Sequence, residues 1–410
     1  MGIQQIYGGM GREDKGLEHL QTVKAIVEED PDSVEKGLLY QRMAHGYLHL
    51  GQPATTLKWA QTAVDMFAKL GVPMGTSLGT AWMYTGRIDE GIAYNEENWL
   101  PVQKVGHPII IMILGHELAL TLALVRDVPR AVKWGERILP EAAKFGIPLA
   151  ELGLRRPLTL IYTLSGEVAK AESECHAVKT IQEKDTVGGT WGACPFEDVA
   201  GIGFYYLRQG EWDKAREYLE WAISAHQDIN VAAVSACCLA LGSLNLEEGN
   251  FQKAEELLLK SLEICRNGGN VLFELWVLPV LAELYVKIGQ LGKAAEYVDR
   301  GFELLKPDQN WYGLPALVCT TKGMLATARK DWKTAVESFD KAIEINRQYQ
   351  LPWDEAKALY ERGLMYLTHG RKADREKAHE DLDEALATFQ KVGAKKDVEK
   401  VLRKKEMLGA

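Results

Sequence analysis

The chain lacks the charge and cysteine patterns of a secreted or nucleic-acid-binding protein. Its 410 residues include six cysteines, none of them in a Cys-x-x-Cys pair, which favours reduced thiols and a cytoplasmic setting. Its 48 lysines and arginines are outnumbered by 57 aspartates and glutamates, which gives a net charge of −9. An acidic chain of this kind disfavours nucleic acid or an anionic membrane surface as the main partner.

Long apolar runs are also scarce. Residues 1–11 have neither the basic start nor the long apolar core of a signal peptide. One membrane-like run extends from Ile109 to Val125, but His116 and Glu117 lie at its centre. Because a bilayer span needs about 20 predominantly apolar residues, we predict that this run is a buried helix and that the protein does not cross a membrane.

Motifs for cofactors and metals are missing as well. The Gly292-Lys293 pair lacks the upstream glycine and the following Ser or Thr of a phosphate loop. His45 and His49 would share a helix face, but no further ligands or supporting partners accompany them in the sequence. We therefore predict no metal, no cofactor and no enzymatic activity.

One hydrolase-like motif leaves an alternative open. Gly75-Thr-Ser77-Leu-Gly79 matches the elbow that presents a nucleophilic serine. That elbow needs a strand before it and a helix after it, whereas Gly71-Val-Pro73 precedes this motif. A serine hydrolase that uses Ser77 is therefore the weakest of the functional alternatives.

What the chain does contain is a repeat. Gly210 is followed five residues later by Ala215 and twelve residues later by Ala222. Glycine at the first position suits a turn, and two alanines seven residues apart share one helix face. The small residue equivalent to Ala215 recurs about every 40 residues, at Gly16, Thr56, Gly91, Ala131, Ala171, Ala215, Ala254, Ala294, Ala335 and Ala378.

The spacing within this unit resembles the tetratricopeptide repeat (TPR). Gly203 and Tyr206 precede the turn at Gly210, and Ala215 follows it, as a small residue, an aromatic residue and an alanine do in that family. The period of roughly 40 residues departs from the usual repeat of about 34. The resemblance implies an all-α fold: a right-handed superhelix of about ten helix pairs, each stacked on its neighbours.

The ends of the chain suggest a wider context. Residues 1–10 are too short and glycine-rich for a complete first helix, so we expect the chain to be part of a longer protein. The stretch from Leu351 to Val401 resembles the C-terminal helical repeats of bacterial adenylate or guanylate cyclases and of signalling ATPases of the STAND type. The loosest junction, Gly188 to Gly192, predicts a hinge that divides one continuous solenoid into residues 1–190 and 191–410.

The resemblance also implies a binding face. In tetratricopeptide arrays the first helix of each pair lines the concave surface, which binds protein or peptide segments. The exposed first-helix positions in this sequence are Gln41, His45, Thr76, Thr80, His116, Arg156, Phe204, Ser243, Glu283, Thr320 and Tyr360. We therefore predict a non-catalytic regulatory scaffold whose partner is a protein or peptide segment, including an intramolecular catalytic module. A free-standing adaptor protein is the alternative.

Overall fold

The structure is a computed structural model that describes residues 13–72, 77–105, 108–144, 148–184, 200–227 and 231–409. All regular secondary structure in these ranges is helical, and no strand occurs in them. The helices are α1 (Glu13–Val27), α2 (Val34–His49), α3 (Pro53–Lys69), α4 (Leu78–Tyr84), α5 (Ile88–Val105), α6 (Pro108–Leu124), α7 (Val128–Lys144), α8 (Pro148–Ser165), α9 (Val168–Lys184), α10 (Gly201–Arg208), α11 (Trp212–His226), α12 (Val231–Glu248), α13 (Phe251–Gly268), α14 (Val271–Lys287), α15 (Leu291–Leu304), α16 (Leu314–Ala328), α17 (Trp332–Gln348), α18 (Pro352–His369), α19 (Lys372–Lys391) and α20 (Lys395–Gly409).

Successive helices pack in pairs, as the repeat predicts. The position equivalent to Ala215 is buried in all ten repeats. Gly203 shows why the facing position on the first helix is also small, because a Cβ there would lie 2.3 Å from the Leu219 side chain. The helix pairs and their stacking confirm the predicted all-α, TPR-like solenoid.

The turns within the repeats share one backbone conformation. Gly51, Gly86, Gly166, Gly210, Gly249 and Gly289 all have positive φ angles, the left-handed conformation that commonly ends a helix. Two repeats depart from this rule, because Arg126 and Lys330 occupy the same position with φ angles of 66° and 59°. Residues other than glycine are disfavoured in this left-handed conformation, so the backbone is strained at both positions.

The superhelix also returns on itself, so that early repeats touch late ones. Trp276 Nε1 donates a hydrogen bond to the Leu124 carbonyl at 2.8 Å, and the Gly313 amide donates to the Val125 carbonyl at 3.2 Å. In a neighbouring repeat, at the start of α5, the Tyr312 hydroxyl donates a hydrogen bond to Asp89 Oδ1 at 2.9 Å. These contacts join parts of the chain that lie far apart in sequence and enclose the space inside the superhelix.

The structure leaves two sequence predictions open. The predicted hinge at residues 188–192 lies outside the described residues, so the division there stays a prediction. Among the described residues, one helix, Val231–Glu248, is long and apolar enough to span a membrane, and 78% of it is buried inside the protein. A helix in a protein core is buried in the same way, so this helix is weak evidence for a membrane span. The absence of a membrane partner therefore remains an expectation.

The return contact predicts an unusual sensitivity at Gly268. A Cβ at Gly268 would lie 1.7 Å from the Gly51 carbonyl oxygen, whereas a Cβ at Gly292 would meet nothing within 4 Å. We expect Gly268→Ala to lower the free energy of unfolding by about 1–3 kcal/mol through steric conflict. Gly292→Ala should be neutral or stabilising by about 0.5–1 kcal/mol, because alanine favours helix more than glycine does. Urea denaturation measures both, and equal effects would contradict a closed superhelix in solution.

Candidate functional site: a cavity inside the superhelix

The inner side of the superhelix contains a cavity of about 720 Å³. Its wall comes from the first helices of five consecutive repeats, namely α10, α12, α14, α16 and α18. The C-terminal helix α20 covers it with Lys396, Asp397, Lys400 and other side chains. Aromatic and aliphatic groups such as Phe204, Trp276 and Leu317 alternate with charged side chains along the wall, which is the mixed chemistry of a ligand pocket.

Five of the predicted groove residues line this cavity. They are Phe204, Ser243, Glu283, Thr320 and Tyr360. The first three lie six residues before the positive-φ residue of their turn, and Thr320 and Tyr360 lie ten residues before theirs. In these five repeats, residues from the two predicted first-helix positions therefore project to the same inner side of the superhelix.

The other predicted residues lie elsewhere. Thr80, His116 and Arg156 are buried and do not line the cavity, while Gln41 and His45 are half-buried in an earlier repeat. Thr76 lies outside the described residues. The cavity thus belongs to the C-terminal repeats, where the solenoid is covered by its own last helix.

Ser77 belongs to a buried polar cluster. Its hydroxyl donates to Glu117 Oε1 at 2.8 Å, Thr80 donates to the other oxygen at 2.7 Å, and His45 Nδ1 is 3.5 Å from Ser77 Oγ. Burial raises the pKa of Glu117, and the two hydroxyls partly offset that effect. In a hydrolase triad the histidine lies between serine and carboxylate, so this arrangement suits a buried structural carboxyl group and gives the hydrolase alternative no support.

Ion pairs hold the wall of the cavity together. Glu283, only 3% exposed, pairs with Lys287 at 3.0 Å and with Lys357 at 2.6 Å. Burial alone would raise the pKa of Glu283, but the two lysines outweigh it and hold the pKa well below its ordinary value. Glu247 continues this network by pairing with Lys287 at 3.7 Å and with Lys400 of the covering helix at 3.3 Å.

The floor of the cavity carries a second charged group. Arg126 pairs with Asp354 at 2.6 Å, and Arg208 lies 3.5 Å from the other oxygen of the same carboxylate. The Arg208 guanidinium carbon stacks 3.1 Å from the centre of the Trp353 ring. Burial would raise the pKa of Asp354, but Arg126 and Arg208 more than offset it and lower that pKa.

Sequence reasoning missed this floor because its members lie at helix ends and in a turn. Arg208 ends α10 and Asp354 lies in the first turn of α18, outside the first-helix positions that the repeat marks. One signal was available, since Arg126 stands where six other repeats have glycine.

The covering helix is attached by both polar and apolar contacts. Trp353 Nε1 donates to Asp397 Oδ2 at 2.9 Å, and Val401 is fully buried. By contrast, Met407 near the end of the helix is 74% exposed. The helix is therefore buried mainly around residues 394–401, while Arg403, Lys404 and Met407 of its later turns also line the cavity and are more exposed.

Metal ligation finds no support in the described ranges, where no three His, Cys, Asp or Glu side chains are grouped as ligands. The five described cysteines, Cys175, Cys237, Cys238, Cys265 and Cys319, are buried and form no disulfide with one another. Burial raises the pKa of the Cys238 thiol to about 11, so it stays protonated at neutral pH and packs as a small apolar group.

Comparisons with known proteins agree with the repeat assignment. A family model of the tetratricopeptide repeat matches residues 235–306, which extend from α12 into the turn after α15. A comparison with curated proteins gives no match.

Among solved structures, the chain is similar to the Rap conjugation gene regulator of a plasmid, solved in complex with a Phr peptide, at 12% identity and a TM-score of 0.55, over 87% of this chain and 95% of that one. It is also similar to a Rap protein complexed with the competence and sporulation factor, at 12% identity and a TM-score of 0.44, over 95% of this chain and 97% of that one. Yeast Tom70 is similar at 13% identity and a TM-score of 0.40, over 99% and 88%. At these identities the likeness concerns the fold.

The Glu283 network predicts a pH-dependent loss of stability. Because the folded-state pKa of Glu283 lies below its unfolded value, its contribution is present above about pH 4.3 and is lost as the pH falls through the folded-state pKa. We expect Glu283→Gln to cost about 3 kcal/mol at pH 7, since it leaves two part-buried lysines without their main partner.

The difference between Glu283→Gln and wild type should narrow as the pH falls below about 4. Chemical denaturation between pH 7 and pH 3.5 measures it. The exposed Glu344, which pairs with Lys341, supplies the control, because Glu344→Gln should change stability by less than about 0.5 kcal/mol. A Glu283→Gln deficit that stays constant over this pH range would contradict the assignment.

Proposed function

We propose that the protein is a non-catalytic scaffold that binds a short peptide segment of a partner in the cavity inside the superhelix. The observation that carries the proposal is the cavity itself, which has a volume of about 720 Å³ and is walled by five successive first helices. Pockets of about 300–1,000 Å³ bury most of a drug-sized ligand. A few side chains of a peptide fit that volume, whereas a whole helix does not.

The chemistry of the wall supports a peptide ligand. Phe204 and Trp276 lie with their rings 6.3 Å apart in a tilted arrangement, and both line the cavity. Aromatic side chains of this kind supply large apolar contact area at low entropic cost. Charged groups of both signs surround them and would fix the orientation of a peptide backbone or side chain. The Rap regulator with a similar fold was solved with a peptide, which makes a peptide ligand reasonable for this architecture.

The binding event would serve regulation. We propose that the chain is the repeat region of a bacterial signalling protein, whose bound segment biases the activity of a cyclase or ATPase module. The stretch that resembles such proteins, Leu351 to Val401, forms α18, α19 and the first half of α20, and so supplies one wall of the cavity and its cover. A free-standing adaptor is the alternative. Sequencing the transcript upstream of Met1 distinguishes them, because an open frame that encodes a catalytic module is expected only for the regulatory region.

Filling the cavity should abolish peptide binding. Ser243 is half-buried and lines the cavity, so Ser243→Phe would place a ring in the space that a ligand needs. The probe is a pool of random pentapeptides, and bound peptides are recovered by size exclusion and quantified by mass spectrometry. We expect Ser243→Phe to reduce recovery at least tenfold relative to wild type, which corresponds to about 1.4 kcal/mol.

A matched control separates the cavity from the outer surface. Glu256 is exposed on α13, a second helix, and does not line the cavity. Glu256→Phe adds the same ring outside the superhelix and should leave recovery unchanged. Both variants are first checked for wild-type helicity by circular dichroism. Equal recovery from wild type and Ser243→Phe, or a loss confined to Glu256→Phe, would show that peptides do not bind in the cavity.

A further inference from the structure

The cavity is electropositive in an otherwise acidic protein. Seven of its lining side chains are basic and five are acidic, whereas the whole chain has a net charge of −9. On the wall, each buried carboxylate has its own lysine partners. The covering helix α20 contributes four of the basic side chains, and the floor has a local excess of its own, because Arg126 and Arg208 share one carboxylate, Asp354.

The two arginines do not share that carboxylate equally. Arg126 is fully buried and lies 2.6 Å from Asp354, while Arg208 is 3.5 Å from it. Among the described residues, no hydrogen-bond acceptor contacts Arg126 Nε, Arg126 Nη1 or Arg208 Nη1, although all three nitrogens are buried. A buried guanidinium nitrogen without an acceptor is costly, so the floor as it stands lacks one acidic partner.

The backbone of Arg126 supports a role beyond packing. Arg126 has a φ of 66° at a turn where six other repeats have glycine. Holding a long side chain in that conformation costs free energy, and such strain tends to be retained at functional sites. The guanidinium carbon of Arg126 lies 5.1 Å from the centre of the Trp276 ring. Arg126 therefore makes the closer ion pair with Asp354, and Arg208 makes the longer and weaker one.

Arg208 is the arginine that a ligand can reach. Its side chain is 17% exposed, against 0% for Arg126, and it lies flat on the indole of Trp353. Stacking fixes the plane of the guanidinium, so its donors are oriented before a ligand arrives. Lys357 lies 5.7 Å from the same ring, but its charge is paired with Glu283 at 2.6 Å, which leaves Arg208 as the cation for a ligand.

We propose that Arg208 anchors a carboxylate of the bound peptide, with Arg126 and Trp353 as positioning residues. This inference rests on the proposed function and names the chemistry that the site selects. A carboxylate fits because a planar guanidinium pairs with it through two parallel hydrogen bonds. Arg126, Arg208 and Asp354 together leave one net positive charge, for which Asp397 of the covering helix and a bound monoanion would compete. A phosphate, with about two negative charges next to Asp354, would be repelled.

The covering helix supplies a built-in competitor. Asp397 of α20 is the other acidic group near Arg208, and its carboxylate is bonded to Trp353 Nε1. Its charge would oppose an incoming carboxylate over the same indole. Asp397→Asn keeps an acceptor for Trp353 and removes the charge, so it should strengthen the binding of acidic peptides. A gain of this kind cannot arise from mere structural damage.

The test uses the full chain and defined pentapeptide pools. One pool has free C-termini and no Asp or Glu, a second is amidated and contains Asp and Glu, and a third is amidated without either. A fourth amidated pool contains phosphoserine as its only acidic residue. We expect both carboxylate pools, or one of them, to bind at least tenfold tighter than the third pool, because charged hydrogen bonds of this strength shift affinity by a factor of ten or more. The first two pools separate a terminal carboxylate from an acidic side chain.

The variants then assign the preference to Arg208. Arg208→Gln should remove the preference for carboxylate pools, and Arg208→Lys, which keeps the charge, should reduce it several-fold. Asp397→Asn should tighten carboxylate binding several-fold and leave the third pool unchanged. Arg347, which pairs with Glu355 and Glu384 outside the cavity, supplies the control, since Arg347→Gln should change nothing. Thermal melts show which variants keep the wild-type fold. If Arg208→Gln does not fold, Arg208→Lys takes its place as the test of the carboxylate preference.

The outcomes separate this inference from the proposed function. If all pools bind equally and Arg208→Gln has no effect, the protein binds peptides in its cavity but the carboxylate anchor is wrong. Tenfold tighter binding of the phosphoserine pool than of the Asp and Glu pool would assign the floor to a dianion and overturn the inference. No binding from any pool would overturn the inference and the proposed function together.

Discussion

The close approach of the two helices in each repeat is the constraint on which the rest of the structure depends. The position equivalent to Ala215 is buried in every repeat, and a Cβ at Gly203 would meet Leu219 at 2.3 Å. Larger groups at these positions would force the helices apart and change the angle between repeats. Because each repeat contacts mainly its neighbours, a constant small residue keeps the rotation from one repeat to the next nearly constant. The curvature of the superhelix, and with it the inner cavity, follows from that rotation.

Closure of the superhelix adds something that no single repeat contains. Polar contacts such as Trp276 to the Leu124 carbonyl join helices that are about 150 residues apart in sequence. They form a second set of interfaces, between repeats that are distant in sequence, in addition to those between neighbouring helices. Arg126 lies in the chain turn between α6 and α7, and only the closure of the superhelix brings it to Asp354 of α18 and near Arg208 of α10. The charged floor is therefore a product of long-range closure and not of the repeat.

The last helix gives the cavity its shape. Without α20 the five first helices would present an open groove, and the contacts of Lys400 with Glu247 and of Asp397 with Trp353 turn that groove into a covered cavity. Few apolar side chains of α20 are buried, since Val401 is fully enclosed while Leu402 is 42% and Met407 74% exposed. Such a helix is held in part by ion pairs, which contribute little individually at a surface, so the cover is the least strongly attached element of the site.

The sequence by itself determined the helical class and the repeat length. Those features follow from local rules: small residues at a fixed spacing, glycine at turns with positive φ, and apolar faces at helical periodicity. Gly210 and Ala215 show this, because the glycine has a positive φ at the turn and the alanine is buried between helices. The same pattern placed Phe204, Ser243, Glu283, Thr320 and Tyr360 on one face, and they do line one cavity. Only the tertiary structure decided that the cavity lies in the C-terminal repeats, that α20 covers it and that Arg126 and Arg208 meet at Asp354. Those choices depend on the accumulated rotation of many repeats and on contacts between distant turns, which no local spacing records.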